Sequence, residues 1–198
     1  MNNSYKKAQI RDVIREKRKM IDKDSISYYG NILVEQFKDA DDELTSIIKS
    51  SNVIALYSAV NGELTCSGLD NYFRKMGKTI CYPRVEGENI DFYQVDDIAK
   101  QMKKGAYNIP EPASDCCKIA PENIDIIVVP AIAFNDEGIR LGQGGGFYDR
   151  YLDRCEKIDK IPYTIGICYD FQIYSAIPVE EHDRGVDCIM CIELGDDE

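Results

Sequence analysis

Residues 138–150 read Gly-Ile-Arg-Leu-Gly-Gln-Gly-Gly-Gly-Phe-Tyr-Asp-Arg, the densest collection of chemistry-bearing residues in the chain. Four glycines, Gly142, Gly144, Gly145 and Gly146, lie between Arg140 and Arg150, and the carboxylate of Asp149 follows directly. Glycine allows positive φ and close approach of backbone to a ligand, and successive backbone N–H groups in such a turn form a concave anion site. The run Phe147–Leu152 predicts a helix whose first N–H groups face the same anion. The segment therefore predicts a phosphate-binding loop feeding a helix, with a carboxylate placed for a magnesium ion. It is neither common nucleotide fingerprint. A dinucleotide loop needs glycine where Phe147 stands, and a P-loop needs Gly-Lys-Ser/Thr, whereas this loop has no lysine. A flexible surface turn is the competing reading of the glycines alone. The flanking arginines, Asp149 and the preceding hydrophobic run favour the site.

The rest of the chain narrows the class. A length of 198 residues with 44% hydrophobic content suits a single domain, residues 1–198, with a full core. No stretch is long and apolar enough for a membrane span, and the polar N-terminus shows no secretory signal, so a soluble, cytoplasmic protein is expected. The net charge of −11 is uneven: the first twenty residues hold seven Lys and Arg against two acidic residues, a local +5, which leaves −16 for the remainder. That basic segment is open to three readings, an anion site, a nucleic-acid arm or a solvated helix face. The acidic remainder argues against nucleic acid. The eight cysteines, without an export signal, are expected as reduced thiols. Cys188-Ile-Met-Cys191 is a C-x-x-C, but on a strand its thiols point to opposite faces, which argues against zinc. His182 is the one histidine, and no nucleophile-elbow sequence supports triad chemistry.

The elements that must hold the loop follow from periodicity. Residues 4–20 predict an amphipathic helix with Ile10, Val13 and Ile14 on one side. A second helix, capped by Asp24 or Ser25, carries Ile32, Leu33 and Phe37. Strands are expected at 52–58, 78–82, 90–95, 163–168 and 186–192, and a helix at 66–76 stopping at Gly77. Residues 105–123, with Pro110, Pro112 and Pro121, read as loop. Residues 124–129 form a β-branched run that predicts a central strand buried on both faces, with the glycine loop following it. This alternation predicts an α/β fold, doubly wound, with a largely parallel sheet and helices on both faces; ligands then lie beyond the C-terminal strand ends. The acidic tail, ending in Asp196–Glu198, is expected to fray.

Pro130–Phe134 followed by the glycine motif closely resembles the signature of the 5-formyltetrahydrofolate cyclo-ligase (methenyltetrahydrofolate synthetase) family. The resemblance extends over nearly the whole chain. It takes in Lys7 and Arg11, Tyr57–Glu63, Asn108–Pro112, Gly166–Gln172, His182-Asp183 and Asp187. It implies ATP- and magnesium-dependent conversion of 5-formyltetrahydrofolate to 5,10-methenyltetrahydrofolate, with release of ADP and phosphate. By that likeness Lys7 and Arg11, four apart and so on one helix face, grip ATP phosphates. Arg140 and the loop Leu141, Gly142, Gln143, Gly144, Gly145 and Gly146, with Phe147 and Tyr148, hold the nucleotide. Lys7 and Arg140 carry the catalytic charge, and Asp149 and Asp183 hold Mg2+. Glu63 accepts hydrogen bonds from the pterin, Tyr57 packs on the folate, and Glu111, Phe147 and Tyr148 line the same pocket. The implied partners are small molecules only, with no nucleic acid and no membrane, and the implied state is a monomer. Two positions depart from the family pattern. Gln143 stands where an aromatic or basic residue is common, and Phe147 replaces a common tyrosine. The alternatives are another ATP-dependent enzyme on the same scaffold, a folate binder without turnover, and a nucleic-acid binder using the basic helix.

Overall fold

The computed structural model describes residues 3–180 and 183–194. His182 and the end of the acidic tail lie outside the described residues. Helices α1 (Asn3–Lys19), α2 (Lys23–Lys38) and α3 (Asp42–Ser50) precede strand β1 (Val53–Ala55). Helix α4 (Ser67–Lys75) leads to β2 (Thr79–Glu86) and β3 (Asn89–Gln94). A short helix α5 (Ile98–Gln101) and strands β4 (Met102–Lys104), β5 (Pro110–Pro112) and β6 (Lys118–Ile119) follow. Next come β7 (Ile126–Val129), β8 (Ala133–Phe134), β9 (Arg140–Leu141), α6 (Phe147–Lys157), β10 (Tyr163–Tyr169) and β11 (Cys188–Ile192).

Seven strands form the main sheet in the order β11-β10-β7-β1-β2-β3-β6. Every pairing from β11 through to β2 is parallel, while β3 runs antiparallel to its two neighbours. The period-2 alternation of buried strands sorts their side chains between two cores. Ile126 and Val128 join Leu33, Phe37, Leu44, Ile48, Leu69 and Phe73 of α2–α4 on one face. Ile127 and Val129 join Tyr151, Leu152 and Cys155 of α6 on the other. The doubly wound α/β expectation is borne out, and 124–129 is the buried central strand it predicted. From β1 the chain builds outward through β2, β3 and β6, then returns to place β7 on the opposite side of β1. The strand order therefore reverses between β1 and β7, which in an open α/β sheet marks the ligand crevice.

Several local expectations are corrected. Helix α2 is capped by Asp22, whose carboxylate accepts from the backbone N–H groups of Asp24 and Ser25, rather than by Asp24 or Ser25. Its carboxylate satisfies donors that the first helical turn leaves orphaned. Helix α3, capped by Asp41 through the Leu44 N–H, occupies a stretch for which no element was expected. The 105–123 segment contains β5 and β6 as well as turns; β5 tolerates its prolines because it pairs only with β4 in a two-stranded ribbon. The glycine loop does not follow the central strand directly. The β8–β9 hairpin intervenes, turned by Asn135, whose side-chain carbonyl accepts from the Glu137 and Ile139 N–H groups.

Helix α1 differs most from its pattern. Val13, expected on the apolar side, is 47% exposed; Ile14 is buried as expected, but its buried companions are Lys7 and Arg18. Ile14 packs with Ile132, Ala133 and Leu141, so α1 lies over the β8–β9 hairpin. A hydrophobic-face reading cannot find a buried face composed largely of cations. Helix α4 behaves as expected: it ends at Lys75 with Met76 at the C-cap, and Gly77 at φ 78° donates to the Arg74 carbonyl. All eight cysteines are free thiols, as expected for reduced cysteines. Cys188 and Cys191 lie on β11.

Candidate active site

The glycine loop leaves β9 and enters α6 through Gly146, which sits in the left-handed region at φ 66° and gives the helix no side-chain cap. A larger residue there would be strained in backbone and would meet the Arg150 guanidinium at 2.6 Å. The first turn of α6 is thus presented to the loop with no capping side chain over its N–H groups. Arg140, buried at the base of the loop, donates to the Asp149 carboxylate in that same first turn. Its Nε is buried without a partner, and its guanidinium lies 5.9 Å from the Tyr148 ring centre. The Asp149 Oδ1 also accepts from the Arg184 backbone N–H at 3.2 Å. That bond brings the segment holding Asp183 against the start of α6.

Lys7 and Arg11 project from α1 toward the same place. Arg11 donates from Nε to the Gly142 carbonyl at 2.9 Å and lies alongside Gly144. Burial lowers the affinity of its guanidinium for its proton. Lys7 is buried and donates to Asp183 at 2.6 Å and Glu180 at 3.0 Å. Burial alone would favour the neutral amine, but the two carboxylates outweigh it and hold the ammonium above its ordinary range. The basic helix is therefore neither a solvated face nor a free arm in this region: Arg11 closes on the glycine loop and Lys7 on Asp183 and Glu180. Arg150 lies beside Gly146 at the other end of the loop and donates to the Glu88 carbonyl in the β2–β3 turn.

On the β1 side, Tyr57 is buried, and its hydroxyl donates to the Leu64 carbonyl at 2.6 Å, which fixes the far end of the 58–64 loop. Glu63 sits in that loop at 7% exposure. Its Oε1 accepts from Arg18 at 3.3 Å and from Gln143 at 3.4 Å, and its Oε2 accepts from the Val60 N–H at 3.2 Å. Burial pushes the Glu63 carboxyl upward, and Arg18 opposes the shift. All three bonds are long for their type, and a carboxylate offers about four acceptor sites, so Glu63 keeps capacity for further donors. Gln143 couples the two halves of the site, since its amide oxygen also accepts from Arg15 at 3.1 Å. The Tyr148 hydroxyl is pushed well up, first by burial and then by the nearby Cys66 and Glu63. Phe147 meets the Tyr107 ring at 6.3 Å edge to face. Glu111 is buried on β5 and packs on Gly105.

The expected residues thus gather into two groups joined through Gln143. Lys7, Arg11, Arg140, Asp149 and Asp183 form one with the glycine loop; Glu63, Tyr57 and Tyr148 form the other. Leu141 is buried on β9 beneath the loop. Arg18, Glu180 and Arg184 were missed. Arg18 was legible in principle: Lys7, Arg11, Ile14 and Arg18 are spaced at i, i+4, i+7 and i+11, one face of a helix. The buried thiols stand apart from this chemistry; burial pushes Cys66 up to about 12, far from a reactive thiolate.

The profile of the 5-formyltetrahydrofolate cyclo-ligase family matches residues 3–192. The chain belongs to that family. It is an enzyme of cyclo-ligase type, as its curated relatives are. It is 28% identical to a Haemophilus influenzae 5-formyltetrahydrofolate cyclo-ligase over 194 residues, covering 91% of this chain and 95% of the relative. It is 29% identical to the mouse 5-formyltetrahydrofolate cyclo-ligase over 151 residues, covering 72% and 74%. An NMR structure of Aquifex aeolicus 5,10-methenyltetrahydrofolate synthetase superposes with a TM-score of 0.77 at 30% identity, covering 93% of this chain and 89% of that one. A Mycoplasma pneumoniae 5,10-methenyltetrahydrofolate synthetase shares the fold, with a TM-score of 0.70 at 23% identity over 92% and 96%. No helix among the described residues is long and apolar enough to cross a membrane.

Proposed function

We propose that this cyclo-ligase-family enzyme converts 5-formyltetrahydrofolate to 5,10-methenyltetrahydrofolate at the expense of ATP, which leaves as ADP and phosphate. The observation that carries the reading is the convergence of Arg11 and Arg140 on a glycine loop that Gln143 links directly to the buried Glu63, with Lys7 held on Asp183 beside Arg184, whose backbone bonds Asp149. One side suits a polyphosphate; the other suits a flat heterocycle rich in N–H donors. The formyl oxygen attacks the terminal phosphorus of ATP, and the bond from phosphorus to ADP breaks. N10 then adds to the formyl carbon and loses its proton. The carbon–oxygen bond breaks, and phosphate departs with the formyl oxygen. Such phosphoryl transfer asks the protein mainly for positioning and charge neutralisation.

The residues fit those two demands. Glu63 orients the pterin by accepting from its amino and ring N–H groups, with Tyr57, Glu111, Phe147 and Tyr148 around it. Arg140, fixed by burial, and the backbone of Gly142–Gly146 face the transferring group. Lys7 exchanges its carboxylate partners for phosphate oxygens when the nucleotide arrives. Magnesium is supported by the donor chemistry. Asp149 and Asp183 are hard oxygen donors on adjoining segments, and each is now held by a cation. Among the described residues no group of three or more metal-ligating side chains is assembled. That accords with an ion held by one or two carboxylates plus substrate phosphates. When bound there, Mg2+ neutralises charge on the phosphate oxygens. The reading is of a cytoplasmic, monomeric enzyme of small molecules, and the acidic remainder of the chain argues against a nucleic-acid partner.

Oxygen labelling tests the chemistry. With substrate carrying 18O in the formyl group, the label is expected in the released phosphate, one atom per methenyl product; label in water would rule out phosphorylation of the formyl oxygen. Lys7→Ala is expected to raise the KM for ATP by about tenfold or more, as loss of one charge-assisted contact implies, and to leave the folate KM within about twofold. The opposite split in steady-state kinetics would move Lys7 to the folate side.

A further inference from the structure

Arg18 is the most deeply placed cation at the crevice, yet neither the glycine loop nor the phosphate-facing cations need it. It is 3% exposed, on the last turns of α1. Its two terminal nitrogens reach opposite sides of the strand-order reversal: one donates to Glu63 beyond β1 at 3.3 Å, the other to the Ala131 carbonyl beyond β7 at 2.5 Å. The Ala131 carbonyl also accepts from the fully buried Gln172, which itself accepts from the Tyr169 N–H. The far end of the guanidinium is thus anchored to the frame of the sheet. The Glu63 loop is seated on the same helix turn: Gly62, at φ 75°, lies so close that a Cβ there would stand 2.5 Å from the Arg18 carbonyl oxygen. Arg18 is also on the helix face that sends Lys7 and Arg11 to the nucleotide side.

We propose that Arg18 is a positioning residue that holds the Glu63 carboxylate in register with the folate while its helix holds the nucleotide, so that α1 sets the spacing between the two substrates. This rests on the reading of Glu63 as the pterin acceptor. A planar fork suits that role, because one nitrogen fixes the guanidinium to Ala131 and the other leaves Glu63 a single long bond with acceptor capacity to spare. A lysine ammonium would supply charge without the two-sided geometry.

The test is a double-mutant cycle on the full chain, read as separate KM values for 5-formyltetrahydrofolate and ATP, with melting curves to confirm folding. Arg18→Met is expected to raise the folate KM by about tenfold or more, as the loss of one hydrogen bond to a charged group implies, and the ATP KM by less than about twofold. Arg18→Lys should restore part of the loss. In a Glu63→Gln background the same Arg18 substitutions should change the folate KM by less than about twofold, because the group they act through is gone. If Arg18→Met does not fold, Arg18→Lys carries the same cycle. Equal effects with and without Glu63, or a folate KM unmoved by Arg18, overturn the inference. So does a Glu63→Gln enzyme with normal folate KM. In each of these cases ATP-dependent methenyl formation by the wild-type enzyme leaves the functional reading standing. Absence of that product in the wild type would strike the reading itself.

Discussion

Arg140→Ala is expected to lower kcat by about 10²–10³-fold, the loss seen when one fixed donor to developing charge is removed. Arg140 is buried, Arg11 is tied to the Gly142 carbonyl and Lys7 is committed to the nucleotide in the proposed reaction, so no neighbouring cation takes its place. Its Nε, buried with no acceptor, is a donor already desolvated, the condition under which electrostatic stabilisation costs least at the moment of reaction. Substitution also removes the partner of Asp149, so some loss of melting temperature accompanies it. Arg140→Lys separates the two effects. It keeps a charge near Asp149 but has no planar fork, and should recover stability more than turnover. A kcat within about threefold of wild type for well-folded Arg140→Ala would remove Arg140 from the reaction.

Asp149→Ala is the second large effect. Turnover is expected to fall by about 10³-fold, as removal of a group central to transition-state charge implies, while the fold survives because the side chain is only partly buried and its α6 backbone is not displaced. The substitution should also raise the magnesium concentration needed for half-maximal rate. Binding of Mn2+ by the enzyme–ATP complex, followed by electron spin resonance, gives a readout independent of turnover and should weaken in parallel. Asp149→Asn retains an acceptor for Arg140 and the Arg184 N–H but loses the charge, so it should resemble the alanine variant in metal binding and the wild type in melting. Unchanged metal dependence would assign Asp149 a structural role as the partner of Arg140.

The parts of this protein legible in its sequence are those written in local pattern. The β-branched run 124–129 could only be a strand covered on both faces, and Ile126–Val129 divides its side chains between the two cores accordingly. The glycine spacing and the helix after it were likewise local. What escaped was built from long-range pairs. Helix α1 shows a modest apolar stripe in sequence, but tertiary structure turns its cations inward because Glu63, Asp183 and Glu180 await them there. No periodicity reveals acceptors 45 to 176 residues away. Val13 is exposed for the same reason. The β8–β9 hairpin went unseen because its strands are two residues each, shorter than any alternation can mark. Gln143 departs from the usual family residue, yet in this chain it supplies the link between Arg15 and Glu63, a role only the folded geometry discloses.

The central claim is most directly tested by mixing the purified protein with 5-formyltetrahydrofolate, Mg2+ and ATP and following the absorbance of the methenyl product, with ATP omitted in a parallel sample. Growth of the methenyl band only when ATP is present, matched by one ADP per product, is the predicted result. A folded protein that binds the folate but forms no methenyl band with ATP and Mg2+ would contradict the account and mark the chain as a folate binder built on a cyclo-ligase scaffold.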